Sequence, residues 1–321
     1  MKQNRHLITG GAGFIGAHLA RRLVDMGDFV VVVDDLSRGR TEFFGDLVGR
    51  PTFLFLQADC SDARALEAAV SASGGQIDEV WHLAANSDIP AGVADPEIDL
   101  KGTFLTTFCV LQVMRKLGIP TLHFASSSAI YGDHGDRLVH EDIGPLEPIS
   151  NYGAMKLASE AQIRAACEAY LPRADILRFP NVIGAPATHG VILDLVRKLK
   201  MRPEILEVLG NGQQQKAYLH VDDLISAMLH IRGLPGAWQV VNIGPGDDGV
   251  SVRSIAEAVR DRVFPSAVIE FGRADRGWIG DVPRFNYSTE RLAASGWSPT
   301  LSSRDAVLRA VDEIARQEFG A

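Results

Sequence analysis

An α/β fold built on a parallel, doubly wound sheet is predicted by three features of this sequence. Short apolar runs that suit buried strands alternate with helical patterns, as a parallel sheet with crossover helices requires. The first run ends at Leu7-Ile8 and opens into Thr9-Gly-Gly-Ala-Gly-Phe-Ile-Gly16, a Gly-x-x-Gly-x-x-Gly spacing ahead of a helical pattern reaching Met26. The second, Phe29-Val-Val-Val-Val33, is apolar throughout and ends in Asp34-Asp35.

The glycines at 10, 13 and 16 suit a tight turn in which the backbone closely approaches a pyrophosphate held at a helix N-terminus. Gly10, Gly13, Phe14, Ile15 and Gly16 are therefore candidate cofactor contacts. An acidic side chain closing the second strand can accept both ribose hydroxyls of an adenosine and repels an extra phosphate there. Asp34 thus points to NAD, while Arg38 and Arg40 just beyond keep NADP open. The expected first domain is a Rossmann-type sheet.

A third strand is expected over Thr52–Leu56, followed by Asp59 and a helix over Ala63–Val70. Glu79–Ala85 reads as a fourth strand with its exit loop, and His82 within it as a core histidine. Asp95-Pro96 starts a long helix to about Leu117, with one side suited to the sheet and another to a second subunit. The fifth strand, Thr121–Ala125, delivers Ser126, Ser127 and Ser128 to the edge where open α/β sheets bind ligands. The helix Asn151–Tyr170 places Tyr152 and Lys156 one turn apart on one face. A nearby ammonium and a fixed cofactor cation both favour phenolate, which would let Tyr152 act as a base. The residues alone leave three serines and two tyrosines, Tyr131 included, as candidates; only Tyr152 has a lysine one turn on. Strand Ala174–Phe179 completes six parallel strands.

The breaker-rich stretch Pro180–Pro186 marks the boundary between a cofactor domain over 1–179 and a smaller α/β substrate domain over 180–321. A helix over Val191–Lys200, a strand over Leu206–Leu209 and a turn at Gly210–Gly212 are expected in the latter. Tyr218–Leu224 begins a return to the first domain around 217–245. A strand Trp238–Ile243 and helices Ser251–Val263 and Ser303–Phe319 follow.

Composition narrows the function classes. With 321 residues, 46% hydrophobic and 22% charged, the chain is an ordinary globular protein. A net charge of −8 argues against a nucleic-acid partner bound by broad phosphate neutralisation. No apolar run reaches the roughly 18 residues of a membrane span, and the N-terminus carries no signal-peptide pattern. Cys60, Cys109 and Cys167 are scattered, which suits a reducing, cytoplasmic setting. His134, Asp136, His140, Glu141 and Asp142 share a polar loop without ligand-like spacing, so no metal is expected.

Taken in order, these motifs resemble the extended short-chain dehydrogenase/reductases, specifically the nucleotide-sugar epimerase and dehydratase group. The resemblance spans nearly the whole chain. It rests on Thr9–Gly16, Asp34, Asp59, His82-Leu-Ala-Ala85, Ser126-Ser-Ser-Ala-Ile-Tyr-Gly132, Tyr152-x-x-x-Lys156, Arg178-Phe-Pro-Asn-Val-Ile-Gly184 and Tyr218-Leu-His-Val-Asp-Asp223. It implies NAD held by the glycine loop, Asp34, Asp59, Tyr152 and Lys156, and a nucleotide-diphosphate sugar as substrate. It implies Ser127, four residues before Tyr131 and twenty-five before Tyr152, as the catalytic hydroxyl, a separation typical of 4-epimerases. Tyr152 would take the 4-hydroxyl proton; Lys156 would hold the nicotinamide ribose and lower the phenol pKa. Ser127, Ser128, Asn181, Lys216, Arg276 and Phe285 are the implied substrate contacts, and a homodimer through the helices over Pro96–Leu117 and Asn151–Tyr170 is implied as well.

The resemblance also discriminates among outcomes. Related 4,6-dehydratases carry Thr-Asp-Glu where Ser127-Ser128-Ala129 stands, and the decarboxylating enzymes keep a Glu at the place of Ala129. Alanine can neither donate nor accept a proton, which steers the expectation from elimination to 4-epimerisation. A 4-keto reductase, a C2 or C3/C5 epimerase, a dehydratase using other acids, and a silent NAD-binding regulator are the alternatives. Departures occur at Lys216-Ala217-Tyr218, where relatives often have Arg-Asp-Tyr, and at Trp278, where the tail arginine usually stands; Arg276 or Arg273 would substitute. Asn86-Ser87-Asp88 occupies the family's substrate loop, and Phe285 the place where bulk disfavours N-acetylated sugars.

Overall fold

The computed structural model describes residues 3–135, 137–274 and 287–320. They form two units: Met1–Tyr131, Leu146–Arg178 and Met228–Val241 make the first, and Gly132–Pro145, Phe179–Ala227 and Asn242–Ala321 the second.

The first unit contains β1 (Arg5–Thr9), β2 (Phe29–Asp34), β3 (Phe53–Gln57), β4 (Glu79–His82), β5 (Thr121–Ser127) and β6 (Arg173–Phe179). A seventh strand, Trp238–Asn242, lies beside β6, so the sheet order is Trp238–Asn242, β6, β5, β4, β1, β2, β3. The strand expected over Trp238–Ile243, within the returning segment, is thus the seventh of the sheet. Val30, Val31, Val32 and Val33 are all fully buried, as a parallel strand covered on both faces demands. Pairing is parallel and in register: Thr9 lies opposite Val33 on one side and His82 on the other, and His82 opposite Phe124. The residues that follow this row therefore emerge along one edge: Gly10, Asp34, Leu83 and Ala125–Ser127. The order also reverses at β1, between β2 and β4, which is where ligands of such sheets sit. Leu7, Val31, Val80, Val113, Phe124 and Ile163 pack the sheet against its helices.

Two segments differ from the sequence reading. The helix expected from Asp95 to Leu117 is divided into Pro96–Asp99, a π-type stretch Leu100–Leu105, and Thr106–Leu117, preceded by an additional helix Ile89–Ala94. Asp88 and Asp95 cap these two helix starts by accepting from Ala91 and Glu97 N–H groups. Pro180–Pro186 is more than a loop: Asn181–Ile183 is a strand paired in parallel with Tyr218–His220. Neither strand exceeds three residues, too little pattern to be seen in sequence.

In the second unit, helices Val191–Met201, Val252–Val263 and Ser303–Phe319 enclose Ile192, Leu195, Leu199, Ile255, Val259 and Val311. Ser251 and Ser302 cap the latter two by accepting from Ser254 and Asp305 N–H groups. Tyr218–His220 belongs to this unit, and the chain re-enters the first only over Met228–Val241, against the return expected around 217–245.

Candidate active site

At the end of β1 the three glycines answer three separate constraints. Gly10 has φ +72°, and a Cβ there would lie 2.6 Å from the Ala84 nitrogen in the loop after β4. A Cβ on Gly16 would lie 2.5 Å from the Gly10 carbonyl, so the helix could not seat against the turn. A Cβ on Gly13 would meet only Gly10 O, at 3.3 Å, so this position keeps the approach to the helix clear. Gly13 begins the helix Phe14–Asp25, no side chain caps its free N–H groups, and no acidic residue occupies its first turn. Phe14 and Ile15 are its first two residues. The uncapped N–H groups and the open approach suit a pyrophosphate.

Asp34 is buried beside it. Its carboxylate accepts from Ala12 N at 3.0 Å and from Leu36 N at 2.9 Å, bonding the end of β2 to the glycine turn. Burial raises its pKa against the pull of those two bonds. A carboxylate offers about four acceptor positions, so two remain for ribose hydroxyls. Asp59, past β3, accepts from the Ser61 N–H and hydroxyl, both at 2.7 Å, and lies 3.7 Å from Lys101. Burial would raise its pKa, but these partners outweigh it and hold it low. The donor and acceptor set fits a dinucleotide.

The three serines at the end of β5 separate by their partners. The Ser126 hydroxyl donates to Glu160, whose carboxylate also receives two bonds from Arg178, at 2.6 and 3.0 Å. Ser127 caps the turn Ser128–Ile130 by accepting from Ala129 N at 3.1 Å, and its hydroxyl lowers the pKa of the Tyr152 phenol. Ser128 is the first residue of that turn. Tyr131 is fully buried, and its hydroxyl accepts from Arg178 at 2.8 Å. Of the three serines, Ser127 is the one that acts on the Tyr152 phenol.

The helix Asn151–Ala169 carries Tyr152 and Lys156. Ser150 caps it by accepting from Gly153 N at 3.1 Å, and Asn151 donates to the Gly92 carbonyl at 2.8 Å. A Cβ on Gly153 would overlap the Ala129 carbonyl oxygen; this contact lets the helix start approach the Ser127 turn. Lys156 is 2% exposed, donates to the Ala125 carbonyl at 2.6 Å and stands 5.8 Å from the Tyr152 ring centre.

Burial pushes the Tyr152 phenol up to about 12, with the Ser127 hydroxyl opposing and Asp99 raising it further. Burial likewise brings Lys156 down to about 7, against the pull of Glu160 and Asp99. Desolvation disfavours both charged forms. His82 is neutral, its pKa lowered to about 3 by burial and then by Lys156, and its ring bonds Thr9 and Thr107 at 2.7 and 3.0 Å. It is the core histidine the sequence suggested.

Asn181 is exposed at the start of its short strand, and Lys216 lies in strand Gln215–Lys216, both in the second unit. Arg276, Trp278 and Phe285 lie outside the described residues, as does Asp136. Sequence reasoning passed over Glu160, which forms a bidentate pair with Arg178 beneath Ser126, and Asp99, whose Oδ1 accepts from Asn86 at 2.8 Å. Only the spacing of Glu160 one turn beyond Lys156 could have hinted at the first; Asp99 had no local signal. Among the described residues no three His, Cys, Asp or Glu side chains form a metal-binding group, and no helix is long and apolar enough to cross a membrane.

Comparison with known proteins agrees with this geometry. Residues 6–244 match the model of the NAD dependent epimerase/dehydratase family. The UDP-glucose 4-epimerase of Azospirillum brasilense is 31% identical over 327 residues, covering 95% of this chain and 90% of that protein. The UDP-glucose 4-epimerase of Thermus thermophilus, solved in complex with NAD, superposes with a TM-score of 0.83 at 29% identity, covering 97% of this chain and 98% of that one. UDP-glucuronic acid decarboxylase 1 of Arabidopsis thaliana is 26% identical, covering 98% of this chain and 70% of that protein.

Proposed function

The chain belongs to the NAD dependent epimerase/dehydratase family, and from that premise we propose that it is a nucleotide-sugar 4-epimerase. NAD, when bound, supplies the hydride acceptor and a positive charge. The glycine turn with the Phe14–Asp25 helix N-terminus holds its pyrophosphate, and Asp34 and Asp59 its adenosine end. Tyr152 would take the proton of the sugar 4-hydroxyl and later give it back, the hydride accepted and returned being what the bound dinucleotide would supply. Ser127 would hold the reacting oxygen beside the Tyr152 hydroxyl. Lys156 would orient the nicotinamide ribose and, as an ammonium, favour phenolate. Inversion at C4 would then need no net cofactor. Ser128, Asn181, Lys216, Arg276 and Phe285 are the residues assigned to the sugar nucleotide.

The observation that carries this reading is the place of Ala129, whose N–H donates to Ser127 at 3.1 Å and whose carbonyl oxygen meets Gly153, the residue after Tyr152. Decarboxylating and dehydrating relatives need an acid at that place, and a methyl group supplies none. A second copy of the chain is the proposed partner, supported by Val93, Ile98, Leu100, Leu105 and Phe108, all more than a third exposed along Ile89–Leu117.

The test is incubation of the purified protein with UDP-, dTDP-, GDP- and CDP-linked hexoses, read by NMR at C4. Interconversion of C4 configurations without added NADH is expected. Loss of the C6 hydroxyl, release of carbon dioxide, or stoichiometric NADH consumption would overturn the assignment.

A further inference from the structure

The loops that leave β2 and β4 stand on opposite sides of the glycine turn, because β1 lies between those two strands. One side chain spans them. From the loop after β2, Arg38 donates through Nη1 to Asn86 Oδ1 at 3.4 Å, and the same nitrogen lies 3.4 Å from Asp88 Oδ2. Both partners belong to the loop after β4, so the bridge runs across the end of β1. Its two ends are fixed. On the β2 side the N–H and hydroxyl of Ser37 donate to Asp35 Oδ1 at 2.9 and 2.6 Å, and Arg40 N–H donates to the Ala12 carbonyl at 2.9 Å. Leu36 has φ +62°, a left-handed conformation that a leucine keeps only where the surrounding bonds impose it. A Cβ on Gly39 would lie 2.7 Å from Asp34 Oδ1 and 2.8 Å from Ala12 Cβ, so only glycine lets this loop rest on the glycine turn. On the β4 side Asn86 is 5% exposed and donates to the Asp88 carbonyl at 2.9 Å and to Asp99 Oδ1 at 2.8 Å. A second ion pair takes the same course: Lys101, in the π-type stretch beyond β4, lies 3.7 Å from Asp59, past β3.

We propose that Arg38 is a strap over the dinucleotide groove, closing on Asn86 and Asp88 across the glycine turn and gating the entry and release of NAD. The proposal rests on the reading of the glycine turn as the pyrophosphate site. The side chains of Arg38 and Asp88 are 45% and 39% exposed, while Asn86 is a buried anchor. An exposed ion pair adds little to stability and is opened at little cost, which suits a gate better than a structural tie. Its guanidinium is engaged by Asp88 and Asn86, so it is not held out for a ribose 2′-phosphate, the other task an arginine beyond the second strand can perform. A strap closed in both the empty and the loaded protein raises the barrier between them and cancels from the binding equilibrium.

The test follows NADH fluorescence in stopped flow, first on mixing with the protein and then on displacement of bound NADH by excess NAD. Arg38→Met keeps an unbranched stem and removes the guanidinium. Binding and release are both expected to quicken by about fivefold, the most an exposed ion pair supplies, while the dissociation constant moves by less than about twofold. Asp88→Asn keeps an acceptor for the Ala91 N–H and removes the charge. It should give part of the same gain, and the double variant should be no faster than Arg38→Met, because both changes act on one bridge. A raised dissociation constant with an unchanged binding rate would make Arg38 a direct phosphate ligand, and a selective loss of NADPH affinity would make it a 2′-phosphate ligand. Either result overturns the strap, as do unchanged rates in the variants. A wild-type protein that binds no NADH would instead refute the glycine-turn reading, and the strap with it.

Discussion

Lys156 reaches from its helix to the backbone of β5, where its Nζ donates to the Ala125 carbonyl at 2.6 Å. One bond thereby ties the base-bearing helix to the strand that ends in Ser127. The ammonium has three donors, so two remain after this bond. The cost is desolvation: a lysine 2% exposed is held near a pKa of about 7 instead of 10.5.

That cost sets a pH-dependent stability prediction. The folded pKa lies below the unfolded one, so between pH 7 and 10.5 the unfolded chain binds more protons and stability rises with pH. The penalty is fully present below pH 7 and gone above 10.5. Lys156→Met has no such proton to lose, so its stability should rise less than that of the wild type between pH 7 and pH 10.5. Urea melts of both proteins at pH 6 and pH 10 check this; an equal rise in the two contradicts it.

Tyr152→Phe removes the phenol hydroxyl and leaves the ring in place. Turnover should fall by about 10²–10⁴-fold, the usual contribution of a positioned acid or base. Unchanged near-UV circular dichroism would show that the loss is chemical. Retained full activity would sink the assigned mechanism.

Gly153→Ala tests the approach of helix to turn. The new methyl group would overlap the Ala129 carbonyl oxygen, and the helix start must retreat from Ser127. A displacement near 1 Å at a catalytic pair costs about 10²-fold in rate. We expect kcat to fall on that order, with NAD affinity, measured by fluorescence titration, changed far less. Equal losses in both would mean that the glycine supports the fold as a whole.

In the second unit, Glu313 is held at a pKa of about 2. Burial would raise it, but hydrogen bonds from His220, Arg309 and the Ala185 N–H prevail. A depressed carboxylate pKa contributes stability that is complete above 4.5 and disappears as pH falls through about 2. Glu313→Gln should destabilise by about 1–3 kcal/mol at pH 7, the penalty for leaving charged partners unmatched. The difference should shrink steadily in melts taken from pH 5 to pH 2.

What the sequence determined by itself is everything carried by short spacing. Gly10, Gly13 and Gly16, the acid closing β2, and a tyrosine and lysine one helical turn apart announce a dinucleotide site and a catalytic pair, because period and turn chemistry act within a few residues. The paired strands Asn181–Ile183 and Tyr218–His220 escaped notice because each gains its partner from a distant segment. The tertiary structure separated the serines, since Ser126 is drawn to Glu160 while Ser127 caps the next turn and lowers the Tyr152 pKa. It also decided the charges. Asp99 meets Asn86 across 13 residues of chain and Glu160 meets Arg178 across 18, while burial, with Asp99 adding to it, raises the Tyr152 pKa. Burial and through-space charge are properties of segments brought together, and no local pattern encodes them.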